Sequence, residues 1–136
     1  MDVQAKGIVV CSTIPILIYS RCMAASVLLP IGNQTELIDL IVKKASLLKP
    51  GQEGKDAVGP VIDRPSLDKI VSYINDSEKS GAKVLLDGRK WLKNEALIKS
   101  KGYWIGPTVL LHSNPSDKAL HDEIFGTSFL LVLNLV

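Results

Sequence analysis

Helical-period stripes alternating with short apolar runs constrain this chain most. Leu67, Ile70, Val71 and Ile74 recur at i, i+3, i+4 and i+7, which places four apolar side chains on one face of a helix. Asp63 stands where that helix needs a cap, Pro65 is tolerated in the first turn, and Gly81 ends the pattern. Residues 82–86 (AKVLL) then read as a strand, closed by a turn at Asp87 and Gly88. Upstream, Leu37, Ile41, Ala45 and Leu48 form another stripe, widened by Leu40 and Val42. Thr35 or Asn33 caps its start, Lys43, Lys44 and Lys49 suit its negative end, and Pro50 and Gly51 stop it.

The remaining segments are extended or irregular. The residues after Cys22 read as a short helix turning into a strand at 27–29. Residues 50–62 read as a charged, glycine-containing loop, and 89–101 are polar with no element predicted. Residues 103–111 (YWIGPTVLL) read as extended, broken at Gly106 and Pro107. A turn is expected at 114–117, and residues 128–133 read as an apolar strand. The order is helix, strand, helix, helix, strand, strand, strand, an α/β arrangement with at least one parallel crossover. A strand as apolar as 128–133 needs neighbours on both sides. The chain stops three residues after Leu133, so the expectation is a piece cut from a larger unit.

A length of 136 residues suits one domain with a real core, needing neither disulfides nor metal for its stability. Sixteen basic and fourteen acidic residues leave a charge of +2, too small to argue for nucleic acid or an acidic membrane surface. The apolar run at residues 7–19 is too short to span a bilayer comfortably, and it reads as a buried strand interrupted by Pro15 rather than a secretory signal. His112 and His121, with no cysteine nearby, do not make a zinc pattern, and no metal site is expected. No glycine-rich phosphate loop and no GxSxG elbow occur.

Cys11 and Cys22 are too few for a disulfide framework, and each alone reads as a small buried hydrophobe. Cys22 has a second reading. Arg21 beside it and a helix start both favour the thiolate. A thiolate attacks carbonyl carbon, and helix-start N–H groups stabilise the resulting oxyanion.

A series of motifs bears on that choice. Arg21-Cys22-Met23-Ala24 resembles the active-site segment of the aldehyde dehydrogenase family, and its methylmalonate-semialdehyde branch in particular. Asp56-Ala57-Val58-Gly59-Pro60-Val61-Ile62 is similar to that family's Asp-x-x-Gly-Pro-x-Ile loop. Gly81-Ala82-Lys83 through Leu86-Asp87-Gly88-Arg89, then Gly102-Tyr103 and Gly106-Pro107-Thr108-Val109, resemble its following segments. Asp122-Glu123-Ile124-Phe125-Gly126 resembles its Glu-Glu-Ile-Phe-Gly-Pro motif. The match runs from about Arg21 to Leu133 in the family's order and spacing.

The resemblance implies a partial aldehyde dehydrogenase catalytic domain, three-layer α/β, over residues 21–136, lacking the NAD-binding Rossmann domain and preceded by an unrelated segment at 1–20. It implies NAD-dependent oxidation of malonate or methylmalonate semialdehyde to an acyl-CoA, with coenzyme A as co-substrate, in a homo-oligomer whose arm is not identifiable here. Cys22 would be the catalytic nucleophile. Glu123 would hold the nicotinamide-side ribose, and Phe125 would pack beside the nicotinamide. Members of this branch are typically mitochondrial, and no convincing import signal is visible, so a cytoplasmic location stays open. Tyr19 and Ser20 depart from the family's Gly and Gln, and Thr127 from its Pro. A tyrosine where glycine supplied positive φ strains or reshapes the loop before Cys22. Two alternatives follow: a truncated, inactive or assembly-interfering remnant, or a residual thiol esterase using Cys22 without NAD.

Overall fold

The computed structural model describes residues 26–51, 57–124 and 129–133. In chain order these form β1 (Val27–Leu28), α1 (Thr35–Ser46), β2 (Lys49–Pro50), β3 (Ala57–Val58), α2 (Arg64–Lys79) and β4 (Lys83–Leu86). A 3₁₀ helix (Gly88–Lys93), α3 (Glu95–Lys99), β5 (Thr108–His112), a 3₁₀ turn (Lys118–Leu120) and β6 (Phe129–Leu133) follow. The helix expected after Cys22 lies outside the described residues.

The main sheet has the order β1-β6-β5-β4. β6 runs parallel to both β1 and β5, and β4 pairs antiparallel with β5. The terminal apolar strand thus has a partner on each side within this chain. The register shifts between Val84 and Leu86, an irregularity that bends the β4 edge.

β5 is covered on both faces, as alternation along a strand requires. Leu110 packs on α2 with Leu67, Ile70, Ile74, Val61 and Ile105. Val109 packs on the opposite side with Ile41 and Ala45 of α1 and Val132 of β6. A helix on each face of one sheet makes the three-layer α/β arrangement expected above. Each fully buried Ile or Leu of these clusters stabilises the fold by about 1.5–3 kcal/mol.

The helix ends are set by local chemistry. The Asp63 carboxylate accepts the Ser66 N–H at 2.8 Å, with Pro65 in the first turn. At the other end Gly81 takes φ +94°. Its N–H bonds the Glu78 carbonyl, and the Ala82 N–H bonds that of Ser77, the paired bonds of a Schellman cap. α1 starts differently. Its cap position is Gln34, which supplies no side-chain cap, while Asn33 Oδ1 accepts from the Thr35 hydroxyl at 2.6 Å and the Thr35 N–H at 3.4 Å.

Three expectations need correcting. Residues 50–62 are not all loop, because β2 and β3 pair in parallel there. The polar stretch 89–101 is mostly helical, built from the first 3₁₀ helix and α3, with Asn94 capping α3 through the N–H groups of Ala96 and Leu97. Of the extended segment only 108–111 is strand, and β5 runs one residue beyond it to His112. Tyr103 instead bridges Val61, whose N–H reaches the Tyr103 carbonyl at 2.8 Å. Gly106 and Pro107 delay the strand, since proline gives no N–H to a ladder.

Two motifs meet at Gly88. Its N–H bonds the Thr108 hydroxyl at 3.1 Å, and its carbonyl accepts the Gly106 N–H at 3.0 Å. Arg89 braces the same corner. Its guanidinium bonds Asp87 at 2.8–3.1 Å, Asn75 at 2.6 Å and Glu78 at 2.9 Å, which ties the end of β4 to α2. The Arg89 hydrogen bonds hold the Asp87 carboxyl below its ordinary value. A Cβ on Gly88 would overlap the Gly106 carbonyl oxygen and come within 2.5 Å of Thr108 Oγ1. Gly88→Ala should therefore lower the unfolding free energy by about 1–3 kcal/mol, read from the denaturant midpoint at unchanged m-value.

Candidate functional site

Of the residues assigned to chemistry from sequence, Glu123 is described, while Cys22 and Phe125 lie outside the described residues. Glu123 follows the Lys118–Leu120 turn and is exposed. A cleft of about 300 Å³ is lined by Ser26 and Val27 on one side and by residues 119–124 on the other. The chain entering β1, with Ser26 four residues past Cys22, and the segment carrying Glu123 thus share one cavity. That juxtaposition comes from the sheet: β6 leads back from the Glu123 segment and runs parallel beside β1.

The segment 117–124 is built outward from α2 and β5. Asp117 is buried, and its carboxylate accepts the Ala119 N–H at 2.9 Å, which caps the turn. Its other oxygen stands 3.2 Å from Nδ1 of His112, which is 1% exposed at the end of β5. Ser77 of α2 adds a long hydroxyl contact to Asp117 at 3.5 Å. His112 Nε2 has no partner among the described residues. His121 is exposed and bonds the Pro115 carbonyl at 2.8 Å. Among the described residues no group of three His, Cys, Asp or Glu side chains stands ready for a metal ion.

The following residues carry the outer anchors. The Tyr73 hydroxyl donates to Asp122 Oδ2 at 2.5 Å, and the Lys69 ammonium reaches the Glu123 carbonyl at 3.4 Å. Among the described residues, the Glu123 carboxylate itself takes part in no hydrogen bond or ion pair. It is therefore open to a ligand that brings a pair of hydroxyl donors, as a ribose diol does.

Reasoning from sequence did not single out Ser26, His121 or Asp122 as cleft residues, nor Lys69 and Tyr73 as anchors. The spacing of Lys69 and Tyr73, four apart beside the apolar stripe of α2, placed them together, but nothing local says that they reach across 49 residues to Asp122 or 54 to Glu123.

Comparison with known proteins adds the following. The model of the aldehyde dehydrogenase family matches residues 20–133. Malonate-semialdehyde dehydrogenase 1 of Geobacillus thermodenitrificans is 36% identical over 115 residues, covering 82% of this chain and 23% of that protein. The mitochondrial methylmalonate-semialdehyde/malonate-semialdehyde dehydrogenase [acylating] of Rattus norvegicus is 34% identical over 113 residues, covering 78% of this chain and 20% of its own. In three dimensions the chain is similar to a Sinorhizobium meliloti 1021 protein assigned as a methylmalonate-semialdehyde dehydrogenase and solved with NAD. The TM-score is 0.81 and the identity 27%, over 99% of this chain and 27% of that one. The chain thus spans about a quarter or less of the length of these relatives.

The Tyr73–Asp122 bond has a titration signature. The carboxylate accepts from the phenol, which stabilises its protonated form and raises the Tyr73 pKa above the ordinary 10.0. In Asp122→Ala the phenol should ionise at lower pH than in the parent chain, closer to the ordinary value, as followed by NMR of the Tyr73 ring across an alkaline titration.

Proposed function

The chain belongs to the aldehyde dehydrogenase family, and we propose on that premise that it serves NAD-dependent oxidation of a small acidic aldehyde, malonate or methylmalonate semialdehyde, to an acyl-CoA. The observation that carries this reading is the shared cleft of Ser26, Val27 and the Glu123 segment. Cys22 is four residues from Ser26 in the chain, and four residues span at most roughly 14 Å. The chain length thus limits how far Cys22 can stand from Ser26, which lines the same cleft as the carboxylate that the family motif assigns to the nucleotide.

The proposed chemistry starts at the Cys22 sulfur. Its thiolate attacks the aldehyde carbon, forming a C–S bond and a tetrahedral oxyanion. Arg21 beside it favours the thiolate. NAD, when bound, supplies the acceptor for the hydride leaving that carbon. The acyl group is then a thioester on Cys22, and the thiolate of coenzyme A attacks it and expels the Cys22 thiolate. The Glu123 carboxylate fits the task of holding the ribose diol because it is exposed on the cleft and free of other partners among the described residues. Phe125, two residues on, supplies an apolar face for the nicotinamide. The compartment follows the host: the rat relative is mitochondrial and the Geobacillus relative bacterial.

A second reading is a non-catalytic family member. It rests on Tyr19 and Ser20, which stand where the family has Gly and Gln, and above all on Tyr19, which puts a bulky side chain where glycine gives the backbone its freedom.

NADH formation from methylmalonate semialdehyde and coenzyme A separates the two. The catalytic reading expects NADH from the parent protein and a loss of at least about a thousandfold in Cys22→Ala. NADH formation that survives in Cys22→Ala contradicts it. A folded protein that forms none supports the non-catalytic reading.

A further inference from the structure

Asp122 and Glu123 are gripped from three directions, while the Glu123 carboxylate makes no hydrogen bond or ion pair among the described residues. Tyr73 of α2 donates its hydroxyl to the Asp122 carboxylate at 2.5 Å. Lys69, one turn earlier on the same helix, donates to the Glu123 carbonyl at 3.4 Å. The Asp122 N–H bonds the Lys118 carbonyl at 3.0 Å, and the Lys118 ammonium lies 3.8 Å from the Asp122 carboxylate. Both ammoniums also stand about the Tyr73 ring, at 6.0 Å and 5.9 Å from its centre.

The helix that supplies this grip is anchored in the core. Leu67, Ile70 and Ile74 are buried against Leu110 and Ile105, on the face adjoining Lys69 and Tyr73. The individual bonds are exposed, so they add little to global stability. They act on two consecutive residues, however, and so restrict the backbone that carries one specific side chain.

We propose that Tyr73, Asp122 and Lys69 are positioning residues that hold the Glu123 carboxylate on the cleft for a diol ligand. The proposal rests on the reading that Glu123 binds the ribose of the dinucleotide. The Tyr73 hydroxyl is the central element, because it is the shortest link from the core helix to this segment. Its role is separable from packing, since its ring also lies against the α2 core and a phenylalanine keeps the ring.

The test uses the full chain, with NAD titrated calorimetrically and backbone amide exchange followed by NMR. Tyr73→Phe and Asp122→Ala should each weaken NAD binding about tenfold at nearly unchanged Tm, and Asp122→Asn, which keeps an acceptor oxygen, should recover most of the affinity. In Tyr73→Phe, exchange at Asp122 and Glu123 should rise about tenfold while the Ile70 and Ile74 amides stay as they were. NAD affinity unchanged in Tyr73→Phe, or equal losses in Asp122→Asn and Asp122→Ala, would overturn the proposal. Glu123→Gln separates the two readings, because it should weaken NAD binding without altering exchange. If the parent chain binds no NAD, the ribose reading of Glu123 fails, and exchange alone decides the grip. A local rise in Tyr73→Phe supports it, and no rise or a uniform one overturns it.

Discussion

The structure depends on the double burial of β5. Val109 faces α1 and Leu110 faces α2, so one strand joins the two apolar layers of the molecule. Everything at the cleft is referred to that strand. Its last residue, His112, is sealed from solvent and paired with Asp117, which caps the turn leading to Glu123. Its neighbour β6 lies beside β1, and so brings the chain just past Cys22 to the same cleft. Core packing and site placement are thus one problem, solved by the register of three strands.

Glycine contacts secure the opposite side of the sheet. Gly88 and Gly106 bond backbone to backbone, with the Thr108 hydroxyl completing the contact. Side chains at these positions would separate the end of β4 from the start of β5. The motifs that carry the family resemblance around Gly88, Gly106, Val61 and Tyr103 are therefore packing contacts between distant segments. Glu123 differs, because its carboxylate makes no hydrogen bond or ion pair among the described residues.

Much of this was legible where a local rule was strong. Asp63 announced a cap and Gly81 a helix end; the Asp63 carboxylate does cap, and Gly81 ends the helix by taking a positive φ. The stripes of α1 and α2 gave the helical layers because apolar spacing reports the buried face directly. The short pair β2 and β3 was not legible, since two-residue strands have no periodicity to read. Nor were the helices within 88–99, where lysines face solvent and only Leu97 is buried among the α3 residues. The grip on Glu123 was invisible for another reason. Tyr73 and Lys69 reach it across long sequence separations that only the fold closes.

The central claim is that the segment beside Cys22 and the segment of Glu123 form one site. A nitroxide attached to Cys22 in a Cys11→Ser background tests it by paramagnetic broadening of amide signals. The account predicts strong broadening at His121, Asp122 and Glu123, with the α3 amides broadened far less. Signals at Glu123 no more affected than those of α3 would contradict it, and would separate the thiol from the carboxylate that the proposed chemistry requires it to serve.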